Sequence, residues 1–242
     1  WWKFDETSGT VATDSSGNGN HGTLQGGPTW ATGKVGGALN FANSTAIVNC
    51  GNNASLELSG DICLASWIKP AIGIGNSMIV GKIGSEQNAG FHLNWDQAYE
   101  SFADGGIQTY NGGTTWLEWG SGTGGFTLEL WYHIVYVMEN SIEYAFVNGT
   151  QVNQRAATRN IPTNNANLEI GRHNNFDSDF KGLIDDVRIY DRALSAVEVQ
   201  ALYNVGSGES TTSTTGGGAT IVAEVGPGSI TTSQLSETIL KY

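Results

Sequence analysis

Short runs in which apolar and polar side chains alternate, separated by glycine-rich turns, restrict this chain to building sheets. In Ile142-Glu143-Tyr144-Ala145-Phe146-Val147-Asn148 the set Ile142, Tyr144 and Phe146 faces one way, and the Asn148-Gly149 that follows is a strong hairpin signal. Comparable runs predict strands at 46–50, 62–69, 78–82, 90–95, 131–138, 142–148, 167–171 and 183–190. Charged residues make up only 14% of the 242 residues and glycine numbers 34, which suits tight turns and not long surface helices. The expected fold is therefore all-β, a two-sheet antiparallel β-sandwich of the jelly-roll kind. One helix is expected at 196–203, where Ser195-Ala196-Val197-Glu198 forms a capping box and Val197, Ala201 and Leu202 form an apolar stripe.

The formal net charge of −12 repels a phosphate backbone, so nucleic acid is excluded as a partner class. No apolar run approaches the roughly 20 residues needed to span a bilayer, so no membrane insertion is expected. The chain opens within a strand-like run, Trp1-Trp2-Lys3-Phe4, without an initiator methionine, and reads as a piece of a longer polypeptide. Residues 1–204 read as the sandwich. Residues 205–230, rich in Gly, Ser and Thr, read as a flexible linker, and 231–242 as the start of a further segment, helical in pattern. Cys50 and Cys63 allow either one disulfide or two buried thiols.

The segment 14–20 has the character of a cation loop. Asp14, Ser16 and Asn18 place side-chain oxygens at alternate positions, and Gly19 lets the chain turn sharply. Hard cations such as Ca²⁺ gather several oxygens in this way, and Asn20 and His21 can add backbone carbonyls. No glutamate follows at the EF-hand position. The competing reading is a turn in which the same oxygens cap local amides, with Asp185 salt-bridged to an arginine.

Four stretches taken in order resemble the laminin-G-like, concanavalin A-like jelly rolls of secreted multidomain bacterial proteins. They are Phe4-Asp5-Glu6 with Asp14-Ser15-Ser16-Gly17-Asn18-Gly19-Asn20-His21-Gly22-Thr23; Gly37-Ala38-Leu39-Asn40-Phe41 through to Leu64-Ala65-Ser66-Trp67-Ile68-Lys69-Pro70; Trp131-Tyr132-His133-Ile134-Val135 with Tyr144-Ala145-Phe146-Val147-Asn148-Gly149; and Leu168-Glu169-Ile170-Gly171-Arg172 with Gly182-Leu183-Ile184-Asp185-Asp186-Val187-Arg188-Ile189-Tyr190. Cys50 departs from the pattern, standing at a position that looks aliphatic in relatives. The resemblance implies an extracellular protein and a structural calcium ion whose remaining charge comes from the pair Asp185-Asp186. Period two sets Asp185 on one face with Leu183, Val187 and Ile189, which is expected to be inward, where a bare charge is too costly to leave unpaired.

Aromatic side chains supply the second functional signal. Trp95, Tyr99, Phe102, Tyr110, Trp116 and Trp119 lie in sequence rich in Gly, Asn, Gln, Thr and Ser, a mixture suited to stacking on sugar rings while hydrogen bonding their hydroxyls. The alternative is that these rings fill the core. His92 and His133 sit in strands among apolar residues and read as structural groups. No Glu-x-Asp occurs, as glucanases of this fold require, and no G-x-S-x-G elbow, so no catalytic residue is assigned. The expected function is a carbohydrate-binding module tethered to further domains. The alternatives are an adhesion domain for an extracellular surface protein, or a glycoside hydrolase or polysaccharide lyase of the same fold.

Overall fold

The computed structural model describes residues 1–71, 77–84, 90–95, 104–108, 116–120, 126–156, 161, 164–172, 179–208, 212–213 and 221–222, with backbone alone at 104–108, 116–120, 212–213 and 221–222. Its strands are β1 (Val11–Ala12), β2 (Gly22–Gln25), β3 (Thr29–Thr32), β4 (Gly37–Asn40), β5 (Ile47–Asn49), β6 (Ile62–Pro70), β7 (Ser77–Ile83), β8 (Gly90–Trp95), β9 (Asp104–Gln108), β10 (Trp116–Gly120), β11 (Tyr132–Glu139), β12 (Ile142–Val147), β13 (Thr150–Ala156), β14 (Glu169–Ile170) and β15 (Gly182–Tyr190). A helix, α1 (Ala196–Ser207), follows, and beyond it Thr212–Ser213 pairs with Ile221–Val222. No helix among the described residues is long and apolar enough to cross a membrane.

Two antiparallel sheets carry the fold. One runs β1-β2-β5-β14-β7-β8 and the other β13-β12-β11-β6-β15-β4-β3, while β9 and β10 pair as a separate hairpin. Register and alternation together decide what lies between the sheets. Leu24, Val48, Ile170, Val80 and Leu93 stand opposite one another across five strands of the first sheet and all belong to or pack on the core. In the second sheet Leu39, Ile184, Ile68 and Tyr132 align in the same way and face them. Trp2, Phe41, Phe91, Trp95 and Phe180 fill the remaining volume and are almost fully buried. The expected sandwich is thus present, and Asn148 and Gly149, with φ of 50° and 78°, make the tight β12–β13 turn.

A second apolar layer lies outside the seven-stranded sheet. Cys63, Ala65, Val135, Val137 and Phe146 point away from the core and are covered by Leu194 and by Val199 and Leu202 of α1. The helix begins with the expected capping box: the Glu198 amide donates to Ser195 Oγ and the Ser195 amide donates to the Glu198 carboxylate. Its buried stripe differs from the expectation. Val199 and Leu202 are buried, whereas Val197 is 79% exposed, because the docking face is set by Val199 and Leu202, three residues apart. The helix also runs past Tyr203 to Ser207 and ends at Gly208 in the left-handed conformation, φ 74°, taking in residues expected to open the linker. Close packing carries it there: Tyr203 stacks on Trp67 at 5.6 Å between ring centroids, and a Cβ on Gly206 would stand 2.4 Å from Trp67 Nε1.

The two cysteines are free and buried, Cys50 in the core just after β5 of the six-stranded sheet and Cys63 on β6 of the seven-stranded sheet, under α1. Burial pushes both thiols up, away from the reactive thiolate form.

Gly206 gives a direct measure of how tightly α1 is seated. In an exposed helix Gly→Ala stabilises by about 1 kcal/mol. Here the added methyl meets a buried indole, so Gly206→Ala is expected to destabilise by about 1–3 kcal/mol in urea unfolding. A stabilised variant would mean that the helix end is not held against Trp67.

Candidate functional site

The loop after β1 is organised by one carboxylate. Asp14 Oδ1 accepts from the Ser16 amide at 2.8 Å and from the Trp1 amino group at 3.0 Å, and Oδ2 accepts from the Ser16 hydroxyl at 2.8 Å and the Asn20 amide at 2.9 Å. The Asn18 amide and side-chain nitrogen donate to Ser16 Oγ, the Asn20 side chain exchanges hydrogen bonds with Ser55, and His21 Nδ1 accepts from the Asp14 amide. Asp14 and Asn20 are buried; Ser16, Asn18 and His21 are exposed. Burial would raise the Asp14 carboxyl, but the hydrogen bonds from Ser16 and Asn20 outweigh it and hold the group at about 2.

Trp2 places this loop beside the last strand. Its backbone exchanges two 2.9 Å hydrogen bonds with Val187 of β15 and also bridges to Asp14, and its indole donates to the Asn20 carbonyl. At the same point β15 carries a bulge: Asp185 opposes Trp67, Arg188 opposes Ala65, and Asp186 adopts φ 49°. The bulge overturns the expected facing of Asp185. Ile184 and Val187 point into the core, and Asp185 points to the outer face, in line with Trp67 and His133. There Asp185 Oδ2 accepts from the amides of Lys34 and Val35, both at 2.8 Å, while Oδ1 is buried without a partner. Burial drives its carboxyl upward, the Val35 and Lys34 amides pull it back, Asp186 and Asp5 add repulsion, and the result is about 8. Asp186 instead pairs with Arg188 at 3.0 Å and accepts from Trp1 Nε1 at 2.6 Å.

These positions bear on the expected calcium. Asp14, Ser16 Oγ and the loop carbonyls are oxygens of the right hardness, but they bring a single carboxylate. Asp185 is anchored to the 33–37 loop and Asp186 to Arg188, so neither joins Asp14. Among the described residues no three His, Cys, Asp or Glu side chains are grouped to hold an ion.

The aromatic expectations divide. Trp95 is 1% exposed in the core, edge-on to Phe126 at 4.9 Å between centroids, and so is corrected from a ligand residue to a packing residue. Trp116 and Trp119 lie on β10, whose backbone pairs with β9, which in turn runs beside β8. Tyr99, Phe102 and Tyr110 fall outside the described residues.

A polar row that the sequence reading passed over crosses the outer face of the six-stranded sheet. Thr23, Asn49, Glu169, Gly81 and His92 are in register across β2, β5, β14, β7 and β8, one residue offset from the apolar core row. Asn94 extends it along β8. The middle of the row is closely packed: a Cβ on Gly81 would stand 2.6 Å from the His92 Cβ and 2.9 Å from Met78 Sδ. The signal was available in Val48-Asn49, Glu169-Ile170, Val80-Gly81 and His92-Leu93, each a polar or small residue beside a core residue. Only pairing shows that they share a line.

A jelly-roll sandwich with its helix on one face and a polar row on the other defines the chain as a concanavalin A-like domain. Residues 41–200 match the laminin-G family described as the Concanavalin A-like lectin/glucanases superfamily, and the chain belongs to that family. No curated protein sequence matches it. Among solved structures it is similar to domain 4 of AbnA, a GH43 extracellular arabinanase from Geobacillus stearothermophilus in complex with arabinotriose, with 22% identity, TM-score 0.66, and coverage of 84% of this chain and 96% of that one. It is also similar to the binding domain of botulinum neurotoxin serotype G, at 16% identity and TM-score 0.63 over 81% and 48% of the two chains. A third likeness is to Trypanosoma rangeli sialidase in complex with sialic acid, at 15% identity and TM-score 0.61 over 84% and 32%. Identities this low speak to the fold.

The two displaced carboxyls link stability to pH with opposite signs. Asp14, lowered to about 2, contributes stability that is present above the ordinary aspartate range and lost as pH falls toward 2. Asp185, raised to about 8, contributes stability that is complete below the ordinary aspartate range and lost as pH rises through 8. In Asp185→Asn the side-chain oxygen still accepts from Lys34 and Val35 and no charge develops. The variant is expected to lose the decline between about pH 4 and 8, gaining on the order of 3 kcal/mol over the parent at pH 9 in denaturant titrations. Parallel pH profiles in the two proteins would count against a protonated Asp185.

Proposed function

We propose that this chain is a non-catalytic, lectin-like carbohydrate-binding module of an extracellular protein, taking its glycan on the polar face of the six-stranded sheet. The observation that carries the reading is the in-register row from Thr23 to His92, which lines up hydroxyl, amide, carboxylate and imidazole groups along one line. Such groups recognise sugar hydroxyls, and the row is exposed at Thr23, half-buried at Asn49 and buried at Glu169, Gly81 and His92. The β9–β10 hairpin, beside β8, brings Trp116 and Trp119 as candidates for stacking. The row contains one carboxylate, Glu169, where glycoside hydrolysis in this fold class needs two, and this supports binding without chemistry. The arabinanase domain in complex with arabinotriose and its extracellular parent support the same reading. The Gly/Ser/Thr-rich sequence after α1 fits a tether to a neighbouring domain, which raises the effective concentration of whatever it carries.

Calcium enters the proposal only as a stabiliser of the Asp14 loop, without Asp185 or Asp186. Its role there would be to draw the loop oxygens together and so tighten the junction with Trp2. It takes no part in gripping the glycan.

Two measurements test these points. On a glycan array, Asn49→Ala and Trp119→Ala are each expected to weaken retention about tenfold, while melting temperatures fall by no more than about 4 °C. Undiminished retention in both folded variants would place the site elsewhere, and silence of the parent across the array would favour a protein partner. Separately, chelation by EDTA is expected to lower the melting temperature by about 5 °C or more, with recovery in excess CaCl₂ and no calcium response in Asp14→Asn. Identical melts with chelator and with calcium would leave the loop to the hydrogen bonds of Asp14 alone.

A further inference from the structure

A lysine, a carboxamide and a carboxylate meet in a closed space at the side of the core. Lys82 stands opposite Phe91 in the β7–β8 pair, on the core side of the sheet, and is 1% exposed. Its ammonium donates to Glu57 Oε1 at 2.6 Å, to the Asn164 backbone carbonyl at 2.5 Å and to Asn164 Oδ1 at 3.2 Å. Glu57 comes from the end of the 3₁₀ turn Ala54–Leu56, and Asn164 from the segment that leads into β14. The carboxamide is itself fixed: the Ala166 amide donates to Asn164 Oδ1 at 2.8 Å, and Asn164 Nδ2 donates to the Lys82 carbonyl at 3.3 Å. Gly90 closes the site from β8, where a Cβ would stand 2.8 Å from Asn164 Nδ2. A buried ammonium needs oxygen partners, and these supply them. The same four groups are also the parts of an acyl transfer: an amine, an acyl carbon, a proton carrier and an amide donor on the carbonyl oxygen.

We propose that Lys82 and Asn164 become joined by an autocatalytic isopeptide bond, with the Glu57 carboxyl carrying the protons. Passing one proton along the 2.6 Å contact turns the ammonium and carboxylate into an amine and a carboxylic acid. The Nζ lone pair then attacks Asn164 Cγ, one bond beyond the oxygen it already touches, and the carbonyl electron pair moves onto Oδ1. The Ala166 amide stabilises the negative charge that develops there. Glu57 gives its proton to Nδ2, the Cγ–Nδ2 bond breaks, and ammonia leaves as the carbonyl re-forms. Nζ returns one proton to Glu57, which ends as the carboxylic acid it was when attack began. One amide is exchanged for another, and no oxidant, metal or second chain is consumed. Contact within a site closed to water supplies the proximity that so slow an acylation needs. The bond would close the chain from residue 82 to residue 164, around β8 to β13, and so restrict the unfolded chain as a disulfide of that span would. The two free cysteines provide no such link.

Mass spectrometry of the purified, denatured full chain tests the bond. The expected mass lies about 17 Da below that of the sequence, the loss of one ammonia. Trypsin should no longer cut after Lys82 and should release a branched peptide that also carries Asn164. Asn164→Ala and Lys82→Met are expected to keep their full sequence masses. Asn164→Asp is expected to yield the same branched peptide with loss of water, which a merely structural role for the side chain would not produce. Glu57→Gln should slow bond formation about a hundredfold. In reducing gels the boiled parent should migrate faster than Asn164→Ala, because the closed loop keeps the denatured chain compact. A parent of full sequence mass after prolonged incubation, cut normally after Lys82, would overturn the proposal. So would the same mass loss on a linear peptide, which would mark a succinimide at Asn18-Gly19 or Asn148-Gly149. Bond formation at the parent's rate in Glu57→Gln would remove Glu57 from the mechanism.

Discussion

The hydrogen-bonded register of the six-stranded sheet constrains everything else in this molecule. Because side chains alternate strictly along a strand, aligning Leu24, Val48, Ile170, Val80 and Leu93 into one buried line forces their neighbours into a second line on the opposite face. A slip of one residue on any strand would put a polar residue of the row into the core and a core residue on the surface. The cost of exposing several such side chains, about 1.5–3 kcal/mol each, holds the register without any ligand. The candidate recognition row is thus a geometric consequence of the core, positioned as firmly as the core itself.

The second sheet solves a different problem, that of fastening the beginning of the chain to its last strand. Alternation alone would run unbroken through β15, but the bulge at Asp185 and Asp186 interrupts it and opens a place for Trp2 to bridge between Val187 and Asp14. Indoles then secure oxygens around the junction: Trp1 donates to the Asp186 carboxylate, and Trp2 donates to the backbone carbonyl of Asn20 in the loop that Asp14 organises. The sequence reading expected a cation to pin these two regions. In the structure they are joined by backbone pairing and charge-assisted hydrogen bonds, and any ion would add to a junction that is already closed.

How much of this was legible from the residues follows from the range of the interactions involved. Local rules carried the β12 run, its Asn148-Gly149 turn and the Ser195–Glu198 cap, because each depends on residues a few positions apart. The family motifs carried the sandwich. Three things were lost, each for a long-range reason. The facing of Asp185 was inverted by a bulge that depends on pairing with β6 and Trp2, which strand periodicity cannot reveal. Val197 looked like a helix contact, but the buried face was chosen by the apolar layer at Cys63, Ala65 and Val135 beneath it. Trp95 looked like a sugar platform because its neighbours in sequence are polar, whereas its neighbours in space are Phe126 and the core. The row from Thr23 to His92 escaped for the complementary reason: its members lie on five strands scattered over some 150 residues of sequence.

A strongly displaced carboxyl is usually a mark of chemistry, and Asp185 would attract that reading. Its setting argues otherwise. The group is fully buried, on the outer face of the seven-stranded sheet, beneath the 33–37 loop and in line with Trp67, which the end of α1 covers. His133, the next titratable group along that line, is held near 3 by burial and stays neutral at ordinary pH, so it neither supplies nor accepts a proton there. The displacement of Asp185 records the cost of burying a carboxyl to anchor two backbone amides. The polar row lies on the opposite sheet and its single carboxylate has no second acid in line with it, so the two requirements of a carboxyl-based hydrolase, a displaced acid and a partnered carboxylate, stand on different faces of the sandwich. That separation supports the proposal of a binding module.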